Sequence, residues 1–83
     1  MRSIEDISEC LISAVVKIKS LPREDVGINS HILYDLYFDS VDLIEFLTEI
    51  EDCLNISIND DELGGFTTLD SISRVILARC NPA

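Results

Sequence analysis

The chain has no tryptophan, and aromatic residues make up only 6% of it. A core without large rings has to be aliphatic, built from Ile, Leu and Val. There is one histidine and there are three cysteines, with no Cys-x-x-Cys pair. That is too few ligands at metal spacing for a zinc site, and no metal is expected. Cys10, Cys53 and Cys80 are an odd set, which reads as reduced thiols of a cytoplasmic protein rather than a disulfide framework. Cys10 and Cys53 fall at or near apolar positions and are expected in the core or at its boundary. Positive charge is scarce: six Lys and Arg stand against sixteen Asp and Glu, a net charge of −10. Nucleic-acid binding is excluded, because phosphate contacts need Lys and Arg. An anionic membrane surface would repel the chain. No apolar run approaches the roughly 18 residues that a membrane-spanning helix needs. No signal peptide is expected, since Met1-Arg2-Ser3 leads straight into a charged amphipathic segment.

What is present points to one small globular domain over residues 1–83. Apolar residues make up 47% and charged residues 27%, a composition that folds. A chain of this length buries only about 60–65% of its unfolded surface, so the core is thin. Partners of so acidic a protein should carry basic patches, and electrostatic steering would speed their encounter.

The spacing of apolar residues predicts three substantial helices. Ser3 is an N-cap with Asp6 three residues on, and Ile4, Ile7, Cys10, Leu11, Ala14, Val15 and Ile18 mark one face of the first helix. Lys17 and Lys19 complement the dipole at its end, and Pro22 forbids continuation. Residues 20–38 form a long connection anchored by Val26, Ile28, Ile32, Leu33, Leu36 and Phe38. It should lie across the bundle, with a helical turn near residues 31–35. The second helix starts at Ser40 behind the N-cap Asp39. Val41, Ile44, Leu47, Ile50 and Leu54 read as its inner stripe, widened by Leu43 and Phe46. Asp42, Glu45, Glu49, Glu51 and Asp52 give it an anionic wet face. Ile56-Ser57-Ile58 alternates like a strand without a partner. A short third helix is expected near residues 60–64, ended by Gly64-Gly65. Thr67 or Thr68 caps a last helix whose inner face is Leu69, Ile72, Val75 and Ile76. The architecture is all-α: a small bundle with three main helices, one short helix and a long first loop.

No catalytic constellation stands out. Ser40 as a nucleophile would need a base within hydrogen-bond reach. No Lys or Arg lies between Arg23 and Arg74, and nothing places His31, the one histidine, beside Ser40. Asp60-Asp61-Glu62 lacks the order of a calcium loop. A serine that opens an acidic helix, without a base, is better placed to be modified by another protein than to attack a substrate.

Leu36-Tyr37-Phe38-Asp39-Ser40-Val41-Asp42 resembles the Leu-Gly-x-Asp-Ser-Leu-Asp signature of the acyl carrier protein family. Leu43-Ile44-Glu45 through Ile50-Glu51-Asp52 is similar to that family's second helix. Ile58-Asn59-Asp60-Asp61 and Thr67-Thr68-Leu69 resemble the starts of its third and fourth. The resemblance covers nearly the whole chain. It implies a four-helix acyl-carrier bundle with 4′-phosphopantetheine, taken from coenzyme A by a phosphopantetheinyl transferase, joined to Ser40, and with Asp39 helping to present that serine. The arm's thiol would hold an acyl group as a thioester for partner enzymes of fatty-acid, polyketide or related lipid metabolism, and the carrier itself would be a monomer that catalyses nothing. By the same resemblance Val41, Ile44 and Thr48 touch partners, Asp42, Glu45, Glu51 and Asp52 face the partners' basic patches, and an acyl chain enters between Ile50, Leu54, Ile58, Leu69 and Ile76.

Two departures from the signature matter. Tyr37 stands where the family usually has Gly, which readily takes φ > 0 as Tyr does not, so the turn before Ser40 is expected to differ. Val41 replaces the usual Leu. The Leu-Tyr-x-Asp-Ser form also resembles small carriers of bacterial virulence secretion loci. These departures keep a second reading open: a carrier-like acidic adaptor without the arm, serving a specialised or virulence-related pathway. A hydrolase using Ser40 is the third class. Arm attachment, activity of a Ser40→Ala variant and ester turnover separate the three.

Overall fold

The computed structural model describes residues 3–58 and 67–80. Its elements run α1 (Ile4–Lys19), a short 3-10 turn (Arg23–Asp25), α2 (Ser40–Leu54) and α3 (Leu69–Cys80). Among the described residues there is no strand; one isolated antiparallel bridge joins His31 to Thr68. The expected short third helix at residues 60–64, with Gly64-Gly65 and the Asp60-Asp61-Glu62 cluster, lies outside the described residues.

Each helix begins where a side chain satisfies otherwise orphaned amides. Ser3 Oγ accepts from the Asp6 amide at 3.2 Å. Asp39 caps α2, and Thr68 Oγ1 caps α3 by accepting from the Ser71 amide at 3.2 Å. Helix α1 ends on Ser20, and α2 on Asn55, each in the left-handed conformation at φ 56°.

Helix α1 packs against both α2 and α3. One aliphatic core joins Ile7, Leu11 and Val15 of α1, Phe46, Ile50 and Leu54 of α2, and Leu69, Ile72 and Ile76 of α3. The long connection covers this core as expected, with Val26, Ile32, Leu36 and Phe38 buried, while Ile28 is half-buried and Leu33 lies at the surface. Backbone bonds strap it to the start of α3: Ile32 N–H to Thr67 C=O at 2.9 Å, Leu69 N–H to Ser30 C=O at 3.0 Å, and Asp70 N–H to Ile28 C=O at 2.7 Å. The predicted turn forms over 32–36, where the His31 carbonyl accepts from the Asp35 and Leu36 amides.

Three expectations change, those for α2, α3 and Cys53. Val41 and Ile44 do not belong to the inner stripe of α2; they are 62% and 65% exposed. At 3.6 residues per turn they share a face with Thr48 and Asp52, and the core stripe is Leu43, Phe46, Leu47, Ile50 and Leu54. On α3, Val75 turns outward, and the position beside Ile72 and Ile76 is filled by Ser73, whose buried hydroxyl donates to the Asp70 carbonyl at 2.7 Å. Cys10 is buried but Cys53 is exposed, because it follows Asp52 onto the wet side of α2. Ile56-Ser57-Ile58 forms no strand; its amides at 56 and 58 bind Glu51, through the backbone carbonyl and the carboxylate respectively.

Candidate functional site

Ser40 is the first residue of α2 and is exposed. Its position follows from a reciprocal capping box. Asp39 Oδ1 accepts from the Asp42 amide at 2.8 Å, and Asp42 Oδ2 accepts from the Asp39 amide at 3.1 Å. Asp39 is the N-cap as expected, and Asp42, expected on the wet, partner-facing side, closes the box with its carboxylate. Among the described residues, the Ser40 side chain makes no hydrogen bond. Its hydroxyl projects from a helix start, where free amides and the dipole favour an anion.

Three residues upstream of Ser40, the chain makes a sharp turn. Tyr37 sits at φ 56° and is 76% exposed. The expectation that Tyr37 would change this turn is corrected: the tyrosine itself takes the left-handed conformation that a Gly would take easily. Such a backbone costs a non-glycine residue roughly 1–2 kcal/mol, so the surroundings must hold it. Immediately after it, Phe38 is buried, its amide bound to the Ile32 carbonyl at 2.9 Å and its ring edge-on to Phe46 at 5.4 Å. Burial of Phe38 against α2 leaves residue 37 on the outside of the turn.

Lys19, at the end of α1, reaches into this junction. Its Nζ donates to the Tyr37 carbonyl at 3.0 Å and to Asp42 Oδ2 at 2.6 Å, and lies 5.6 Å from the centre of the Phe38 ring. Asp42 is consequently held below the usual carboxylate range, first by the Lys19 hydrogen bond and then by the Asp39 amide. A second pair, Lys17 to Glu49 at 2.8 Å, joins the same two helices nearer the surface and raises the Lys17 ammonium above its ordinary value through its hydrogen bond with Glu49. Both lysines thus bridge to α2 instead of merely completing the α1 dipole, and the wet face of α2 is not wholly anionic.

The remaining candidates divide into an outward and an inward set. Val41, Ile44, Glu45, Thr48 and Asp52 are exposed and run down α2 from Ser40. Thr48 donates its hydroxyl to the Ile44 carbonyl at 2.9 Å. Two acids expected to face partners are engaged inside the molecule: Asp42 in the capping box and Lys19 pair, and Glu51 with the Ile58 amide at 2.7 Å. Ile50, Leu54, Ile58, Leu69 and Ile76 are all brought together in the core. A surface hollow of about 250 Å³, lined by Ile58, Val75, Ile76, Ala78 and Arg79, reaches two of them from the α3 side. His31 is no partner for Ser40; its Nδ1 accepts from the Leu33 and Tyr34 amides at 3.1 and 3.2 Å, and its ring stacks on Tyr34 at 4.4 Å. Among the described residues no group of three or more His, Cys, Asp or Glu side chains is gathered to hold a metal.

Lys19 was not legible as a site residue, whereas Tyr37 stood out in the motif without showing its left-handed backbone. Lys19 and Asp42 are 23 positions apart, a separation that no helical period connects.

A family model described as the phosphopantetheine attachment site matches residues 4–76. An acyl carrier protein of Phytoplasma australiense is 29% identical over 66 residues, covering 80% of this chain and 87% of that protein.

Proposed function

The chain belongs to the phosphopantetheine-attachment-site family, whose members are carriers with a covalently held 4′-phosphopantetheine, and from that premise we propose that Ser40 is its attachment residue. The observation that carries this is an exposed hydroxyl, without a hydrogen-bond partner among the described residues, on the first turn of α2. The residues around it fit a phosphate ester. The helix start supplies amides and a favourable dipole. Lys19 offsets the Asp42 carboxylate, and Asp39 is turned to the Asp42 amide.

When bound, the arm supplies a thiol that holds an acyl group as a thioester. This chain's part is to present, to be recognised and to shield. It performs no catalysis of its own; among the described residues no base is hydrogen-bonded to the Ser40 hydroxyl, and the attaching chemistry belongs to a phosphopantetheinyl transferase using coenzyme A. Val41 and Ile44 offer that enzyme and later partners an apolar contact. Glu45 and Asp52, on the same exposed face, meet their basic patches. Asp42 and Glu51 serve by shaping this face. The acyl chain, once loaded, lies among Ile50, Leu54, Ile58, Leu69 and Ile76, entering where the core parts. The setting is a cytoplasmic one, in fatty-acid, polyketide or related lipid biosynthesis, with the single domain spanning residues 1–83 and acting as a monomer.

Incubation with coenzyme A and a broad-specificity transferase should add one phosphopantetheine mass, read by intact mass spectrometry. Ser40→Ala should abolish the addition while circular dichroism stays helical. Addition to the Ser40→Ala protein would move the site elsewhere.

A further inference from the structure

The turn before Ser40 places a tyrosine in a backbone conformation that tyrosine disfavours, and one side chain from a distant helix grips the carbonyl of that residue. The same ammonium binds the carboxylate that closes the α2 capping box, and it lies near the face of the buried Phe38. Three consecutive features that fix Ser40 therefore meet on Lys19: the left-handed Tyr37, the anchor Phe38 and the box of Asp39 and Asp42. The Lys19 and Asp42 side chains are only 23% and 20% exposed, so water screens this pair less than the Lys17–Glu49 pair, where the lysine is 70% exposed.

We propose that Lys19 is a positioning residue for modification of Ser40: it clamps the Tyr37 turn to the first turn of α2, so that the hydroxyl is presented in one fixed place to the transferase. The inference rests on Ser40 as the attachment residue. In that transfer the Ser40 oxygen–phosphorus bond forms, the pyrophosphate bond of coenzyme A breaks, the adenosine bisphosphate leaves, and the hydroxyl proton passes to a base of the transferase. Lys19 takes no part in those bonds. It acts on the backbone that carries the nucleophile. Glycine takes the left-handed conformation freely, so a carrier with Gly at this position has less need of the clamp. The lysine and the tyrosine form a compensating pair in this chain.

Transfer kinetics on the full-length apo protein test this, with arm addition followed by mass spectrometry and amide hydrogen exchange at Asp39, Ser40 and Asp42 followed by NMR. Lys19→Met should lower kcat/KM for transfer by about tenfold, the size of one lost charged hydrogen bond, and should speed exchange at those amides. Lys19→Arg should recover most of the rate. Placing Tyr37→Gly in the Lys19→Met protein should shrink the loss to about threefold or less, because the turn then holds itself. Lys17→Met, which breaks the more exposed pair between the same helices, should leave transfer unchanged. The proposal is overturned if Lys19→Met loads at the wild-type rate, if Lys17→Met slows loading equally, or if Tyr37→Gly gives no rescue. An unmodified wild-type protein, or one modified away from Ser40, would instead sink the attachment assignment itself.

Discussion

The two ends of α2 are held by different physics. The C-terminal half buries Phe46, Leu47, Ile50 and Leu54 in the common core. The N-terminal turn buries little: Ser40 and Val41 are exposed, and the turn is fixed by polar contacts from Asp39, Asp42 and Lys19. Apolar burial supplies stability but hides what it holds. Directional hydrogen bonds hold a backbone while leaving its outer side open. Ser40, the proposed attachment residue, stands at the polar end, and the apolar end keeps the helix in the bundle.

Substitutions at the two ends should separate folding from presentation. The largest effect belongs to the buried end. Phe46→Ala removes the ring that meets Phe38 and should cost about 3–5 kcal/mol in urea unfolding. A loss under about 1 kcal/mol would mean that α2 is not anchored there. At the polar end, Asp39→Ala deletes the N-cap and should cost about 1–2 kcal/mol, with faster amide exchange concentrated at the first turn. Uniform loosening across the helix would erase the contrast between the ends.

Tyr37→Gly should act in the opposite direction. It relieves the left-handed strain and should raise stability by about 1 kcal/mol, less whatever freedom glycine adds to the unfolded chain. Thermal melts that show a clear destabilisation would mean that the exposed ring makes a contact worth more than the strain.

The smallest effect is a slope with pH. Asp42 is held below its ordinary value in the fold, so its contribution is complete above the unfolded value of about 3.9. It is lost as pH falls from there through the lower folded value. Asp42→Asn should flatten the decline of stability below about pH 4, seen in urea midpoints compared with wild type. An unchanged decline would assign acid sensitivity to other carboxylates.

Local patterns carried much of this in advance. The starts of α1 and α2, at Ser3 and Asp39, follow from side-chain capping within three residues. The helical spans follow from the 3.6-residue period. The burial of Phe38 and the exposure of Ser40 are adjacent consequences of one turn. The period did not decide which apolar residues of α2 face inward, because Val41 and Ile44 extend the apolar set across two stripes. Burial of Ser73 in place of Val75 was hidden for a similar reason: a serine that donates to its own helix's carbonyl satisfies its polarity locally and can enter the core.

The sequence by itself determined an acidic, aliphatic, helical chain with a serine at the start of its second helix. Those properties depend on composition and on neighbours within one or two helical turns. The tertiary structure decided that Tyr37 takes the left-handed turn, that Asp42 and Glu51 serve within the fold, and that Lys19 grips the junction before Ser40. Each of these depends on where α1, α2 and the long connection come to rest against one another. That placement is set by packing of the shared core, over separations that no local period spans.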